Sequence, residues 1–187
     1  MKILILGHRG MLGHMVKKVL TNSKFKIHTI NQRYPKWDPL MFKNVDFIIN
    51  CIGSIPQKTI KSKGTKTKMI QTSIIGPEIN SNASLLEWFL SQENEVFGYT
   101  KALWNGNTTL EWSKWCLNLI NNWDNYQKLN ILQSNTVSKY ELLNLIKKIY
   151  QKDIIIQKKE LGKDKTLKGN IITKNIEEQL WELKNLK

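Results

Sequence analysis

The chain has 187 residues, 41% of them hydrophobic, with 29 basic against 15 acidic side chains and a net charge of +14. That is enough for one well-buried core with an appended lobe and too little for two full-sized domains, and the apolar content excludes wholesale disorder. No apolar run approaches the ~18 residues that span a bilayer, and the first, at 3–6, breaks at Gly7 too early for a secretory leader. The expectation is therefore a cytoplasmic protein, neither secreted nor membrane-bound.

In chain order, residues 2–6 form a short β-rich apolar run that ends at a glycine, as a buried parallel strand does. A glycine turn follows, and Met11, Leu12, Met15, Val16, Val19 and Leu20 recur at helical spacing, predicting a helix over 11–20. Residues 25–30 alternate as a second strand, 34–44 hold Pro35 and Pro39, and 45–51 read as a third buried strand. Residues 54–68 carry Lys58, Lys61, Lys63, Lys66 and Lys68 without an apolar stripe, which predicts an exposed loop. Residues 69–75 read as a fourth strand. Helical spacing returns at 84–90, 109–120 and 138–150, the last opened by Ser138 with Glu141 three positions on, a capping box. A short strand at 154–156, a lysine-rich loop at 162–169 and a terminal helix at 176–186 complete the chain.

This order predicts an α/β fold: an abridged Rossmann-like parallel sheet of about four strands with helices, the strand at 69–75 lying beside the first, plus a small mostly helical C-terminal lobe. The boundary falls between a shortened dinucleotide-binding core at 1–76 and a lobe at 77–187 packed on it. A short sheet has an open edge, so pairing with a second copy is expected.

The turn spaces Gly7, Gly10 and Gly13 as G-x-x-G-x-x-G between strand and helix. Such glycines let the chain turn tightly and let its backbone approach a pyrophosphate, while the amides opening the helix, at Met11 and Leu12, point at the anion. Strand two ends Asn31-Gln32-Arg33, where an NAD-specific site places an acid for the ribose hydroxyls. The chain's two arginines, Arg9 and Arg33, stand in the turn and at this position, flanking the place of an adenosine 2′-phosphate. The cofactor expected is NADP, with NAD as the alternative. Cys51 and Cys116 lie far apart without His or Cys at ligand spacing, so no disulfide or metal is expected. His8 and His14 read as turn and surface histidines. Trp88, Trp112 and Trp115 read as core, whereas Trp104, with Asn105 beside it, is open to both core packing and stacking on a nucleotide.

Residues 1–16, "MKILILGHRGMLGHMV", resemble the start of the dTDP-4-dehydrorhamnose reductase-like branch of the extended short-chain dehydrogenase/reductases. "NCIGSIPQ" at 50–57 is similar to that family's segment beside the nicotinamide riboside, which implies that Cys51, Ile52 and Gly53 line the cofactor. "TSIIGPE" at 72–78, "LLEWFLSQ" at 85–92, "GYTKALWNGNTTLEWSK" at 98–114 and "SKYELLNLIKKIY" at 138–150 resemble its substrate lobe, implying that Trp104 and Asn105 bind a sugar nucleotide.

Between 57 and 72 the family places further strands and helices with its catalytic Ser or Thr and Tyr-x-x-x-Lys; this chain is internally shortened there. Four positions after Tyr34, Tyr99, Tyr126, Tyr140 and Tyr150 stand Asp38, Leu103, Asn130, Asn144 and Ile154, so no Tyr-x-x-x-Lys exists. Carbonyl reduction needs that acid to protonate the developing alkoxide, and no catalytic residue is assigned. A site rebuilt on Tyr99 and Lys101 is a minor alternative. The resemblance implies an NADP-binding relative of nucleotide-sugar reductases and epimerases that has lost standard catalysis. The alternative, from the +14 charge, is a non-enzymatic nucleic-acid-binding or assembly protein.

Overall fold

The computed structural model describes residues 1–32, 36–52, 66–79 and 83–186. The first strand, β1 (Lys2–Leu6), leads through the glycine turn into α1 (Met11–Thr21), β2 (Lys26–Thr29) and, after a 3-10 turn at Pro39–Phe42, β3 (Phe47–Asn50). These strands form a parallel sheet of order β2-β1-β3, with Leu4 opposite both His28 and Ile48. Ile3 to Leu6 are all buried because one face of β1 meets α1 and the other meets Ile30, with Trp37, Met41 and Phe42 packed alongside.

The expected fourth strand is two strands, β4 (Met69–Gln71) and β5 (Ile74–Ile75). Neither pairs with β1. The next elements are α2 (Leu85–Ser91), β6 (Glu95–Tyr99), β7 (Leu103–Trp104), β8 (Asn107–Thr108) and α3 (Thr109–Asn121). After them come β9 (Leu129–Gln133), β10 (Val137–Ser138), α4 (Lys139–Tyr150), β11 (Ile155–Lys159), β12 (Ile171–Ile172) and α5 (Ile176–Lys184). β4 joins a second parallel sheet, β12-β9-β4, and β5 pairs with β8, so the sheet around β1 holds three described strands rather than about four. β4 is tied to the lobe by its backbone pairing with β9, Met69 to Gln71 against Leu129 to Ile131, and the buried Asn130 adds side-chain donations to the carbonyl oxygens of Met69 at 3.3 Å and Gln127 at 2.9 Å.

The lobe does not stand apart from the sheet. Trp112, Cys116 and Ile120 of α3 share one apolar cluster with Ile3, Ile5 and Ile49 of the first sheet and Leu132 of the second. A second cluster joins Met15 of α1 to Ile75, α2, α4 and α5. Helix starts follow their caps: the side chains of Ser84, Thr108, Ser138 and Asn175 each accept from the amide three residues on, and Ser138 with Glu141 completes the expected capping box.

Candidate functional site

Two places in the fold have the geometry of a binding site. The first is the turn between β1 and α1. Gly7 has φ +75°, which a glycine adopts without strain, and a β-carbon there would come within 3.0 Å of Ile52, just past the end of β3. A β-carbon on Gly13 would lie 2.1 Å from the Gly7 carbonyl oxygen, so this glycine is what lets α1 sit tight against the turn. Gly10 is different: a β-carbon there meets nothing nearer than 3.5 Å. It caps α1 without a side-chain hydrogen bond, and no acid stands in the helix's first turn. The helix start beside Gly10 leaves its first amides without a side-chain acceptor, the kind of terminus that can receive an anion.

Charge at the turn agrees. Arg9 donates from Nη2 to Asn31 Oδ1 at 3.0 Å, joining the turn to the end of β2 where an acidic residue would otherwise receive a ribose. Burial, then the positive charges of Lys17 and Arg9, hold the His8 imidazole below its ordinary value, although its hydrogen bond to Asn31 works the other way. His8 Nδ1 is buried without a partner among the described residues. Cys51 and Ile52 stand at the exit of β3 against Gly7, and burial pushes the Cys51 thiol up to about 12, making it an inert wall rather than a nucleophile. Arg33 and Gly53 lie outside the described residues, as do Lys58, Lys61 and Lys63 of the lysine-rich loop.

The second place is a cavity of about 580 Å³ between β5, α2, the β6–β7 segment and α4. Ser73, Tyr99, Trp104 and Lys139 line it, with Lys163 and Lys165 from the loop after β11. Trp104 is in β7, and its indole Nε1 donates to Ser73 Oγ at 2.6 Å, which fixes the ring as a wall. Asn105 is buried and spends both ends of its amide on the backbone of Leu167: Nδ2 donates to the carbonyl at 2.8 Å and Oδ1 accepts from the amide at 2.8 Å. It anchors the loop that carries Lys163 and Lys165.

Tyr99 and Lys101 are not brought together as a pair. Lys101 reaches outward to Glu160 at 3.1 Å, both side chains being exposed. The amine over the Tyr99 ring is that of Lys139, 5.1 Å from its centroid and 4.7 Å from the centroid of Trp88. Sequence reasoning missed Lys139 as a site residue. Its place after Ser138 in a capping box was legible, but the two rings that flank it come from α2 and β6. Among the described residues no group of three His, Cys, Asp or Glu gathers to hold a metal, and no helix is long and apolar enough to cross a membrane.

No family model and no curated protein matches the sequence. Solved structures do match, along nearly the whole chain. A dTDP-4-dehydrorhamnose reductase from Bacillus anthracis in complex with NADP superposes with a TM-score of 0.76 at 10% identity, covering 97% of this chain and 98% of that one. One from Clostridium acetobutylicum gives a TM-score of 0.70 at 14% identity over 99% of both chains. A UDP-N-acetylglucosamine 4-epimerase from Methanobrevibacter ruminantium in complex with UDP-N-acetylmuramic acid gives 0.65 at 12% identity, covering 97% of this chain and 96% of that one. At these identities the likeness establishes the fold alone, the Rossmann-like α/β fold shared by these dTDP-4-dehydrorhamnose reductases and the epimerase.

Proposed function

We propose that this protein binds NADP(H) at the glycine turn and a sugar nucleotide in the lobe cavity, and that it does not carry out carbonyl reduction by the Tyr-x-x-x-Lys route. The observation that carries the reading is the turn itself: a helix start without a side-chain cap, no clash for a β-carbon at Gly10, whose nearest neighbour is the Gly7 carbonyl oxygen at 3.5 Å, and a clash at Gly13 that only glycine avoids. Bound there, NADPH supplies a hydride donor. The chain's own part is to hold its pyrophosphate on the amides of Met11 and Leu12 and its 2′-phosphate near Arg9 and Arg33. Burial holds the Cys51 thiol in its uncharged form, so no thiolate stands against these contacts.

For the cavity, the support is its cationic rim and its fixed aromatic wall. Lys139, Lys163 and Lys165 supply positive charge, Trp104 a flat face for a base or sugar, and no carboxylate appears among the described lining residues. The absence of Tyr-x-x-x-Lys from the sequence removes the ordinary general acid, so reduction of a 4-keto sugar nucleotide should fall well below a usual enzymatic rate of ~1–10³ per second.

Calorimetric titration with NADPH and NADH tests the cofactor assignment. NADPH is expected to bind about ten- to a hundredfold tighter, the effect of a charge-assisted phosphate contact, and Arg9→Ala and Arg33→Ala should each reduce that ratio. Equal affinity for the two cofactors in the unaltered protein would refute it.

A further inference from the structure

Among the described residues four lysines meet a carboxylate, Lys101 with Glu160, Lys114 and Lys174 with Glu182, and Lys148 with Glu177, while Lys18, Lys68, Lys152 and Lys184 donate to backbone carbonyls. Lys139 does neither. It is the first residue of α4, half-buried, with its ammonium between the faces of Trp88 and Tyr99 and no ion pair among the described residues. It opens onto the 580 Å³ cavity, and the other cations that line it among the described residues are Lys163 and Lys165. The nearest acid of its own helix, Glu141, is engaged by the backbone amide and hydroxyl of Ser138 at 2.7 and 2.8 Å. Glu160 is held by Lys101. Desolvation lowers the affinity of the Lys139 amine for its proton, the one lysine among the described residues for which such a lowering is resolved. The ring faces of Trp88 and Tyr99 favour the ammonium, whereas withdrawal from water, the missing counter-ion and the further positive charge at the cavity favour the free amine, the form that attacks a carbonyl.

We propose that Lys139 forms an imine with carbonyl compounds that carry a phosphate or diphosphate group, bound in this cavity with the anion on Lys163 and Lys165. The neutral amine adds to the carbonyl carbon and a C–N bond forms; one amine proton passes to the oxygen to give a carbinolamine, and the second leaves with the hydroxyl as the C–O bond breaks, so that one water is released and the C=N bond remains. The step is a condensation and needs no oxidant or reductant. Trp104, held by Ser73, gives the ligand's ring a face to lie on. The inference deepens the proposal that the cavity takes a sugar nucleotide, and it adds a covalent contact that the proposal does not require.

Its test uses pyridoxal 5′-phosphate as probe, at equimolar concentration with the intact protein, followed by borohydride to reduce the C=N bond and peptide mass mapping. Lys139 should carry about tenfold more label than the average exposed lysine. Pyridoxal, which lacks the phosphate, should lose that selectivity, as should the double variant Lys163→Gln/Lys165→Gln. Adding dTDP or UDP in excess should protect Lys139 if the phosphate subsite is that of a nucleotide; protection by inorganic phosphate alone would identify a simple phosphate ester as the ligand. Lys139→Arg keeps the charge and should abolish the selective label while the circular dichroism spectrum is unchanged. Label spread over surface lysines and the Met1 amine, with Lys139 no higher than the rest, would overturn the proposal. A nucleotide that binds in the cavity without any imine would leave the sugar-nucleotide reading standing and this one refuted.

Discussion

A β-carbon on Gly13 would stand 2.1 Å from the carbonyl oxygen of Gly7, 2.6 Å from its carbonyl carbon and 2.8 Å from the α-carbon of His8. All three atoms are backbone, so no side chain can swing aside to make room. The close fit of α1 on the end of β1, and with it the direction of the helix's first amides, depends on that missing atom.

Gly13→Ala should therefore destabilise the fold by at least the ~1–3 kcal/mol typical of overpacking, because the turn itself must move. The thermal midpoint should fall, and NADPH affinity should fall with it. An unchanged midpoint would mean that the turn relaxes freely.

A second coupling runs through Gln179 of α5, which is 1% exposed. Its Nε2 donates to Asn107 Oδ1 at 3.0 Å and to the Lys174 carbonyl at 2.7 Å, and its Oε1 accepts from the Thr108 amide at 2.8 Å. Asn107 in turn donates to Thr72 Oγ1 at 2.9 Å, so α5, β8 and the segment between β4 and β5 share one buried network. Gln179→Leu matches the volume and strands these groups, and should cost about 1–3 kcal/mol for each group left unsatisfied. Denaturant unfolding should show a lower midpoint at the same slope; a loss under half a kilocalorie, roughly the scatter of surface substitutions, would contradict the network's role.

Much of the amino-terminal half was readable from the chain. β1 and β3 are apolar runs, the glycine spacing marks the turn, and α1 shows its stripe. Ser138 and Glu141 announce the start of α4, and the capping box is present. The lobe was less legible because its strands are short and pair across long separations. β6 with β11 sets Glu95 opposite Ile155 and Tyr99 opposite Lys159, and neither strand carries a clean apolar alternation. The strand at 69–75 reads as a neighbour of β1 because the shortened sheet leaves a place there, and because its actual partner, β9, is a short strand that the apolar pattern does not announce. Lys139 escaped for a similar reason: one lysine among many, distinguished by two rings that folding brings to it.

The capping box also predicts a pH dependence. Hydrogen bonds from the Ser138 amide and then from its hydroxyl hold the Glu141 carboxyl below its ordinary value of 4.5, outweighing a small effect of burial. A carboxyl whose folded value is depressed adds stability that is fully present above its unfolded value and is lost as pH falls through the folded one. Stability should therefore decline below 4.5 with a contribution from this box. Ser138→Ala should cost about 0.5–2 kcal/mol at neutral pH and flatten part of that acid limb. Parallel pH–stability curves for the variant and the parent, measured by urea unfolding, would assign the acid limb to other carboxyls.

The cofactor claim is tested most directly at Gly10, whose backbone, at φ −80° and ψ 167°, suits any residue and where a β-carbon would make only an ordinary contact, 3.5 Å from the Gly7 carbonyl oxygen. Aspartate there is a good helix cap, so Gly10→Asp should fold as stably as the parent or a few tenths of a kcal/mol better, while placing a carboxylate where a pyrophosphate would lie. Side-by-side NADPH titrations of the two proteins, with thermal melts as the control, should show saturable binding by the parent and a loss of about tenfold or more in the variant, with the melting temperature preserved. A variant that binds NADPH as tightly as the parent, or a parent that does not bind it, would contradict the reading of this turn as a dinucleotide site.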